Sequence, residues 1–403
     1  MFGWRVMLRA VRMDLDPFDE AVLADPVMLH ASIREAAPAV WVPKYQAWFV
    51  GRDAEVREAL ADWGRFSSAF GVGLRDIQRD GTWQKPSVIL EVDPPDHTIT
   101  RRVLNRILSQ KAMRTMRADF ERFAVALVDE LVERGTFDAV QDLAWRFPAT
   151  VLPDAVGIMA DGREHLSLYS AMYFNNRIPG NRLADDSTAT AGDAHSLDWV
   201  AMACSREHLT PGGFGHQIYA AVDVGEIDED TAATLVRTFL GGGVDTTVLA
   251  LGSMLMLLAT NPQQWKKMCG QPDLARAAFD ETLRLTPPAP MIGRTTTGPT
   301  ELGGVSLGDR EKVFLLVGAA NRDPRRWDDP DQFDITRNTA GQLAFGLGPH
   351  FCVGHAVARL EAEVVLAALI ERVERIETCG EQVPELNNWL YGLRNLPVTV
   401  TPR

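Results

Sequence analysis

The run Phe345-Gly346-Leu347-Gly348-Pro349-His350-Phe351-Cys352-Val353-Gly354 sets one cysteine among three glycines, just ahead of a strongly helical stretch. Glycine admits positive φ and lets backbone come close to a flat ligand. A cysteine near a helix N-terminus meets free N–H groups and the positive end of the macrodipole, which favour thiolate over thiol. From spacing alone, the competing reading is a glycine-rich turn with an incidental buried cysteine.

A second run, Gly241-Gly242-Gly243-Val244-Asp245-Thr246-Thr247, lies inside a long apolar stretch. Three glycines in a helix cost roughly 1 kcal/mol each relative to alanine, so something should compensate. One compensation is a helix distorted to let a ligand lie against its backbone. Asp245 and Thr246 then put a carboxyl and a hydroxyl beside the distortion, the acid–alcohol pair that proton delivery to dioxygen needs. The alternative is a helix break with Asp245 capping the next helix.

Two further pairs share helical faces. Glu281 and Arg284 are three apart, and His97 and Arg101 are four apart. Each pair is by itself compatible with ordinary solvated charge.

The elements that must position these residues are readable from periodicity. Helices are predicted over 113–135, 228–260, 274–285 and 353–376, each with three-to-four apolar spacing. Strands are predicted in 39–50 around a Lys44-Tyr45 turn, in 294–307, in 312–317 and in 397–402. No Pro/Gly/Ser-rich linker and no repeat divides the chain, so the expectation is one mostly-α domain with small β-sheets over 14–403, preceded by a flexible leader over 1–13.

The cysteine run, with its continuation Ala356-Val357-Ala358-Arg359-Leu360-Glu361, resembles the haem-binding loop of the cytochrome P450 superfamily. Gly-Gly-x-Asp-Thr is similar to that family's oxygen-activation motif, with Thr246 rather than Thr247 as the alcohol. Glu281 and Arg284 match its buried pair, completed by Arg337 in Phe333-Asp334-Ile335-Thr336-Arg337. The resemblance implies the triangular-prism fold and a haem-dependent monooxygenase using O2, with haem b as cofactor. Cys352 becomes the axial iron ligand, the ligation for which these enzymes are the standing example. Asp245 and Thr246 become the proton relay. Gly242, Phe345, Gly346 and Gly354 adjoin the haem, and His97, Arg101, Arg294 and His350 receive its propionates.

The likeness runs from about Leu29 to the end. It is nearest to bacterial members that oxidise para-substituted benzoates, through Gly71-Val72-Gly73-Leu74, Ser87-Val88-Ile89-Leu90-Glu91 and Pro211-Gly212-Gly213-Phe214-Gly215. It places Phe70, Val72, Leu90, Phe174, Gly241 and Leu393 at the substrate. Those relatives hold a carboxylate with an arginine and serines. Here Phe70 precedes Gly71, and Gly241 stands where a serine is expected, which leaves Arg75 or Arg177 as the cation. If neither turns inward, an uncharged aromatic such as a phenol is the substrate instead.

The chain has 403 residues, a net charge of −13 and ordinary globular proportions, 46% hydrophobic and 24% charged. That balance disfavours nucleic acid as a partner. No flavin- or nicotinamide-binding domain fits beside the haem domain. Electrons must therefore come from a separate partner, which the resemblance implies is a ferredoxin served by a ferredoxin reductase and ultimately by NAD(P)H, with Arg102, Arg106, Lys111, His355 and Arg359 as a candidate basic docking face. Cys204, Cys269 and Cys379 read as reduced, buried thiols of a cytoplasmic protein. No uninterrupted apolar run of about 18 residues predicts a membrane span. Two other classes share the motifs: a haem-thiolate peroxygenase or isomerase that bypasses electron delivery, and a haem sensor without turnover.

Overall fold

The computed structural model describes residues 10–81 and 85–403. Its centre is the helix Glu229–Thr260, 32 residues long. Asp228 starts it by accepting the Thr231 amide at 2.7 Å, with Glu229 and Asp230 complementing the dipole in the first turn. By length and composition this helix is apolar enough to cross a membrane, but 61% of its most apolar window is buried inside the fold. It is the core helix around which Arg146–Val156, Phe214–Asp223 and Ala275–Leu285 pack, together with the π-helical turn Ala139–Trp145.

The helix Gln110–Arg134 is closed by Gly135 at φ 69°, a backbone shape that glycine adopts without strain. It packs along His355–Arg372, the helix that follows the cysteine loop. That last helix stops at Arg372, short of the predicted Ile376. Val373–Thr378 is instead a strand, its edge taken up by Pro397–Pro402, which also pairs with Thr136–Asp138. Val373, Ile376 and Thr378 are β-branched, which favours the ladder over one more helical turn.

The largest sheet has six strands, in the order Val11–Arg12, Val40–Val42, Ala47–Val50, Lys312–Leu315, Ile292–Thr296 and Phe66–Ser67. Its first strand corrects the predicted leader: Val11 and Arg12 pair in parallel with Val40 and Trp41, and the Met13 amide donates to Trp41 O at 3.1 Å. Residues 1–9 of that leader lie outside the described residues. Smaller two-stranded sheets join Thr300–Leu302 to Val305–Leu307 and Val383–Pro384 to Leu393–Asn395. The architecture is mostly α with small sheets, as expected. Of the other cysteines, Cys204 is buried, Cys269 half-buried and Cys379 exposed, so the expectation of burial fails for Cys379, which sits just past a strand end.

Candidate active site

The cysteine loop is shaped by its glycines. Gly346 and Gly348 both sit at φ +73°, and a Cβ on Gly348 would lie 2.9 Å from Leu60 O. The loop closes through Cys352 N–H donating to Phe345 O at 2.8 Å and Phe351 N–H to Gly348 O at 3.1 Å. The sulfur, with Phe345, Gly346 and Gly354, lines a cavity of about 310 Å³ whose facing wall includes Gly242, Gly243, Thr246 and Ala250 of the central helix. Burial pushes the Cys352 thiol up, against the lowering pull of the Gly354 and His355 amides and of Arg101 and Arg359. The helix terminus thus helps the thiolate but does not win alone; a bound cation that displaces the proton would.

His97, Arg101, Arg294 and His350 all line the same cavity. Three buried nitrogens there have no hydrogen-bond partner among the described residues: His97 Nε2, His350 Nε2 and Arg294 Nε. Asp93 Oδ1 lies 3.6 Å from His350 Nε2, too far for a hydrogen bond. The two imidazoles are 4.5 Å apart. Burial pushes His97 down to about 4, with His350 and Arg101 adding to it, and burial likewise lowers Arg294 to about 10. Orphaned buried donors clustered at one edge of an apolar cavity are costly unless an anion or water meets them. A flat apolar group with a dianionic edge and a metal for sulfur fits these residues, as haem does. Arg101 is partly engaged already, donating to Phe351 O at 2.5 Å, so it also braces the cysteine loop.

The central helix is continuous through the three glycines, so no break with Asp245 as a cap is present. Each glycine instead has its own clearance. A Cβ at Gly243 would strike Leu152 Cδ2 at 2.5 Å; one at Gly242 meets nothing within 4 Å, on the cavity side; one at Gly241 has Tyr169 Cε1 at 3.8 Å. Thr246 Oγ1 donates to Gly242 O at 2.7 Å and Thr247 Oγ1 to Gly243 O at 2.8 Å. Thr246 lines the cavity; Asp245 does not. Burial raises the Asp245 carboxyl to about 7, eased by the Ser170 hydroxyl and reinforced by Glu385. The Ser170 hydroxyl faces it without the geometry of a full hydrogen bond.

The predicted substrate residues divide. Val72, Leu90, Phe174 and Arg177 line the main cavity. Gly241 lines a smaller side chamber that shares Leu90, Tyr173, Phe174, Thr238 and Gly242 with it. Phe70 does not reach the cavity, because the Arg310 guanidinium covers its ring at 3.4 Å while Lys312 Nζ holds its carbonyl at 3.0 Å. Arg75 is exposed, turned away by the loop. Leu393 is drawn into the antiparallel pair with Pro384 and packs on the main core; Trp389 lines the cavity in its region instead. Arg177 is buried and inward, but its Nη1 is bonded to Glu91 Oε1.

Three lining or neighbouring residues escaped the sequence reading. Arg237 lines the side chamber and has no hydrogen-bond or ion-pair partner among the described residues. The signal was present: it is the one charged residue between Asp230 and Asp245, four before Gly241. Tyr173 carries an unpartnered buried hydroxyl, and Glu361 lines the cavity with both carboxyl oxygens unpartnered, its pKa pushed well up by burial. Nothing in their spacing separates these two from core positions.

The loop is fixed from behind. Glu281 and Arg284 have fully buried side chains, joined at 2.7 and 2.9 Å, and Arg337 Nε reaches Glu281 Oε1 at 3.0 Å. Arg284 also donates to Asn321 O at 2.8 Å and Pro330 O at 2.7 Å, and Asn321 Oδ1 accepts the Leu343 amide at 2.8 Å, two residues before Phe345.

The family model of cytochrome P450 matches residues 217–401. The chain is 45% identical over 391 residues to cytochrome P450 CYP199A2 of Rhodopseudomonas palustris, covering 97% of this chain and 94% of that protein. It is 31% identical over 395 residues to the erythromycin C-12 hydroxylase of Saccharopolyspora erythraea, covering 94% and 95% of the two. The structure of CYP109Q5 from Chondromyces apiculatus matches with a TM-score of 0.81 at 28% identity over 97% of this chain and 99% of that one. CalO2 matches with a TM-score of 0.84 at 27% identity over 96% and 99%. With a cysteine loop facing a glycine-bearing central helix, and with relatives matched over nearly their full length, the chain belongs to the cytochrome P450 family and is a haem-thiolate monooxygenase that uses O2.

Proposed function

We propose that this enzyme oxidises a small aromatic acid, by hydroxylation or by removing the methyl group of an aryl methyl ether. The observation that carries the acid is Arg237: a half-buried cation without an ion-pair partner among the described residues, beside a cavity walled by Val72, Leu90, Phe174 and Trp389. Apolar and aromatic walls suit a flat ring. A carboxylate placed among them without a cation carries a large desolvation cost. Arg177 cannot offset that cost, because Glu91 already neutralises it. Arg237 can.

Haem b held by Cys352, with His97, Arg101, Arg294 and His350 on its propionates, supplies the oxygen chemistry: O2, two electrons and two protons give one inserted oxygen atom and water. The chain's own contribution is orientation and proton handling. The Asp245 carboxyl, near 7, is poised between acid and base at neutral pH. Thr246 holds its proton on Gly242 O, and a turn of its side chain presents the hydroxyl to the cavity. A methyl ether hydroxylated on its methyl carbon collapses to a phenol and formaldehyde.

Electrons come from NAD(P)H by way of a ferredoxin reductase and a ferredoxin, in the cytoplasm. The docking face is narrower than the sequence reading had it: Arg106 is paired with Glu226 and Arg359 with Asp280, each at 2.8 Å, and His355 is turned to Cys352 O at 2.9 Å. Arg102 and Lys111 are exposed and outside any ion pair among the described residues.

The test is a Soret titration with 4-methoxybenzoate and 4-methoxyphenol in the wild type and in Arg237→Ala. The acid should lose affinity by about tenfold or more, because one partner of a partly buried charge pair is gone, while the phenol is unaffected. Equal acid affinity in the two proteins would overturn the role of Arg237. A spectral shift from the phenol alone would replace the acid reading with the neutral one.

A further inference from the structure

Where the cavity wall is tied down, one cation already has its counter-charge: Arg177 forms a buried ion pair with Glu91. Arg177 Nη1 is bonded to Glu91 Oε1, and Glu91 Oε2 accepts the Ser87 amide at 3.0 Å, so both carboxylate oxygens are committed within the protein. The guanidinium also lies over the Tyr173 ring, 4.2 Å from its centroid. Its backbone is pinned as well. Leu74 N–H donates to Arg177 O at 2.7 Å, and a Cβ on Gly73 would lie 2.5 Å from the same oxygen. The side chain therefore cannot swing away. Yet Arg177 Nη2 and the Tyr173 hydroxyl, both buried and both on residues lining the main cavity, have no hydrogen-bond partner among the described residues.

Two orphaned polar atoms on a guanidinium and the tyrosine it stacks on, both residues lining the cavity, are an unmet demand for an acceptor oxygen. The local charge is already balanced by Glu91, so a second carboxylate would bring one negative charge too many, while a phenolic, ether or carbonyl oxygen adds none. We propose that Arg177 Nη2 and Tyr173 Oη form a subsite for an uncharged oxygen substituent on the substrate ring. The substrate class is then an oxygen-substituted aromatic acid, such as a hydroxylated methoxybenzoate, rather than a benzoate bearing its para group alone. This rests on the aromatic reading above, and it divides the polar recognition: Arg237 takes the charge, and the Arg177–Tyr173 pair takes a neutral oxygen.

The experiment compares dissociation constants, from Soret titration of the holoenzyme, for 4-methoxybenzoate, 3-hydroxy-4-methoxybenzoate and the size control 3-methyl-4-methoxybenzoate. The hydroxylated acid should bind about five- to tenfold more tightly than either other acid, the worth of one well-made neutral hydrogen bond. Tyr173→Phe keeps the ring and loses only the hydroxyl; Arg177→Lys keeps the charge on Glu91 and loses the second guanidinium nitrogen. In each, the ratio of affinities for the hydroxylated acid and 4-methoxybenzoate should shrink towards one. The neutral pair anisole and 2-methoxyphenol reads the same subsite without the carboxylate. If all three acids fail to bind while 2-methoxyphenol keeps its advantage over anisole, only the acid reading falls and the subsite stands. Equal affinities within both sets in the wild type, or a preference untouched by both substitutions, overturn the subsite.

Discussion

Asp245 is set against its own ionisation. Its native pKa is about 7 against an ordinary 3.8, chiefly through burial, with Glu385 adding repulsion. The unfolded chain releases this proton near its ordinary value, so between about pH 4 and 7 the native state holds more protons than the unfolded one. This group's influence is therefore benign in acid and increasingly destabilising as pH rises towards neutrality. Asp245→Asn should have a melting temperature close to the wild type at about pH 4.5 and a higher one at about pH 8, with product formed per NADH reduced at every pH. Melting curves across that range decide it: a mutant uniformly less stable, or a pH-independent gap, would show that the carboxyl is not held protonated. Asp245 and Thr246 were legible as an acid–alcohol pair. Their environment was not, because Ser170 and Glu385 come from segments far away in sequence. The same holds for Arg177, whose neutralising partner Glu91 is 86 positions distant. Sequence spacing reveals which side chains share a face, but not which charges have already been spent on one another.

At the scale of elements, the glycines of the central helix make unlike demands that composition alone could not separate. Gly243 packs its backbone against Leu152, and a methyl group there would meet the leucine at 2.5 Å, whereas Gly242 faces open space. Gly243→Ala should cost about 1–3 kcal/mol as overpacking. Gly242→Ala should be neutral or stabilising by up to about 1 kcal/mol through helix propensity, while weakening ligand binding because the methyl enters the cavity. Chemical denaturation of the pair, alongside substrate titration, checks both; equal destabilisation would mean that the helix responds to propensity rather than to Leu152. The helix around the glycines was readable nearly to the residue, and Asp228 and Gly135 are caps that the structure uses, because capping is a local matter of a few residues; the helix predicted from 113 begins three residues earlier, at Gln110, behind the cap Ser109. The end of the last helix was not readable, since Val373–Thr378 is settled by its ladder with Pro397–Pro402, a partner that periodicity within one segment does not reveal.

For the whole molecule, the Glu281–Arg284–Arg337 network carries the cysteine loop on a fully buried charge pair. Removing one partner strands the other, so Glu281→Gln should destabilise the fold by about 3–5 kcal/mol and release haem on mild heating. Soret absorbance followed through a melt measures this; a variant with unaltered melting and haem retention would make the network dispensable. The motif was legible as a pair of charges, and only burial turns it into scaffold. The cavity itself has a place in the larger plan that no motif marks. Leu104, Leu152 and Phe279 on its walls belong to the principal apolar cluster, whereas Phe174, Met291 and Trp389 belong to a second one. The cavity therefore lies at a seam, and a haem held in it would touch both clusters at once. A group that binds only the native arrangement contributes its affinity to the stability of that arrangement. A haem bound there would thus act as mortar as well as reagent, tying the two apolar clusters together through the cavity they share.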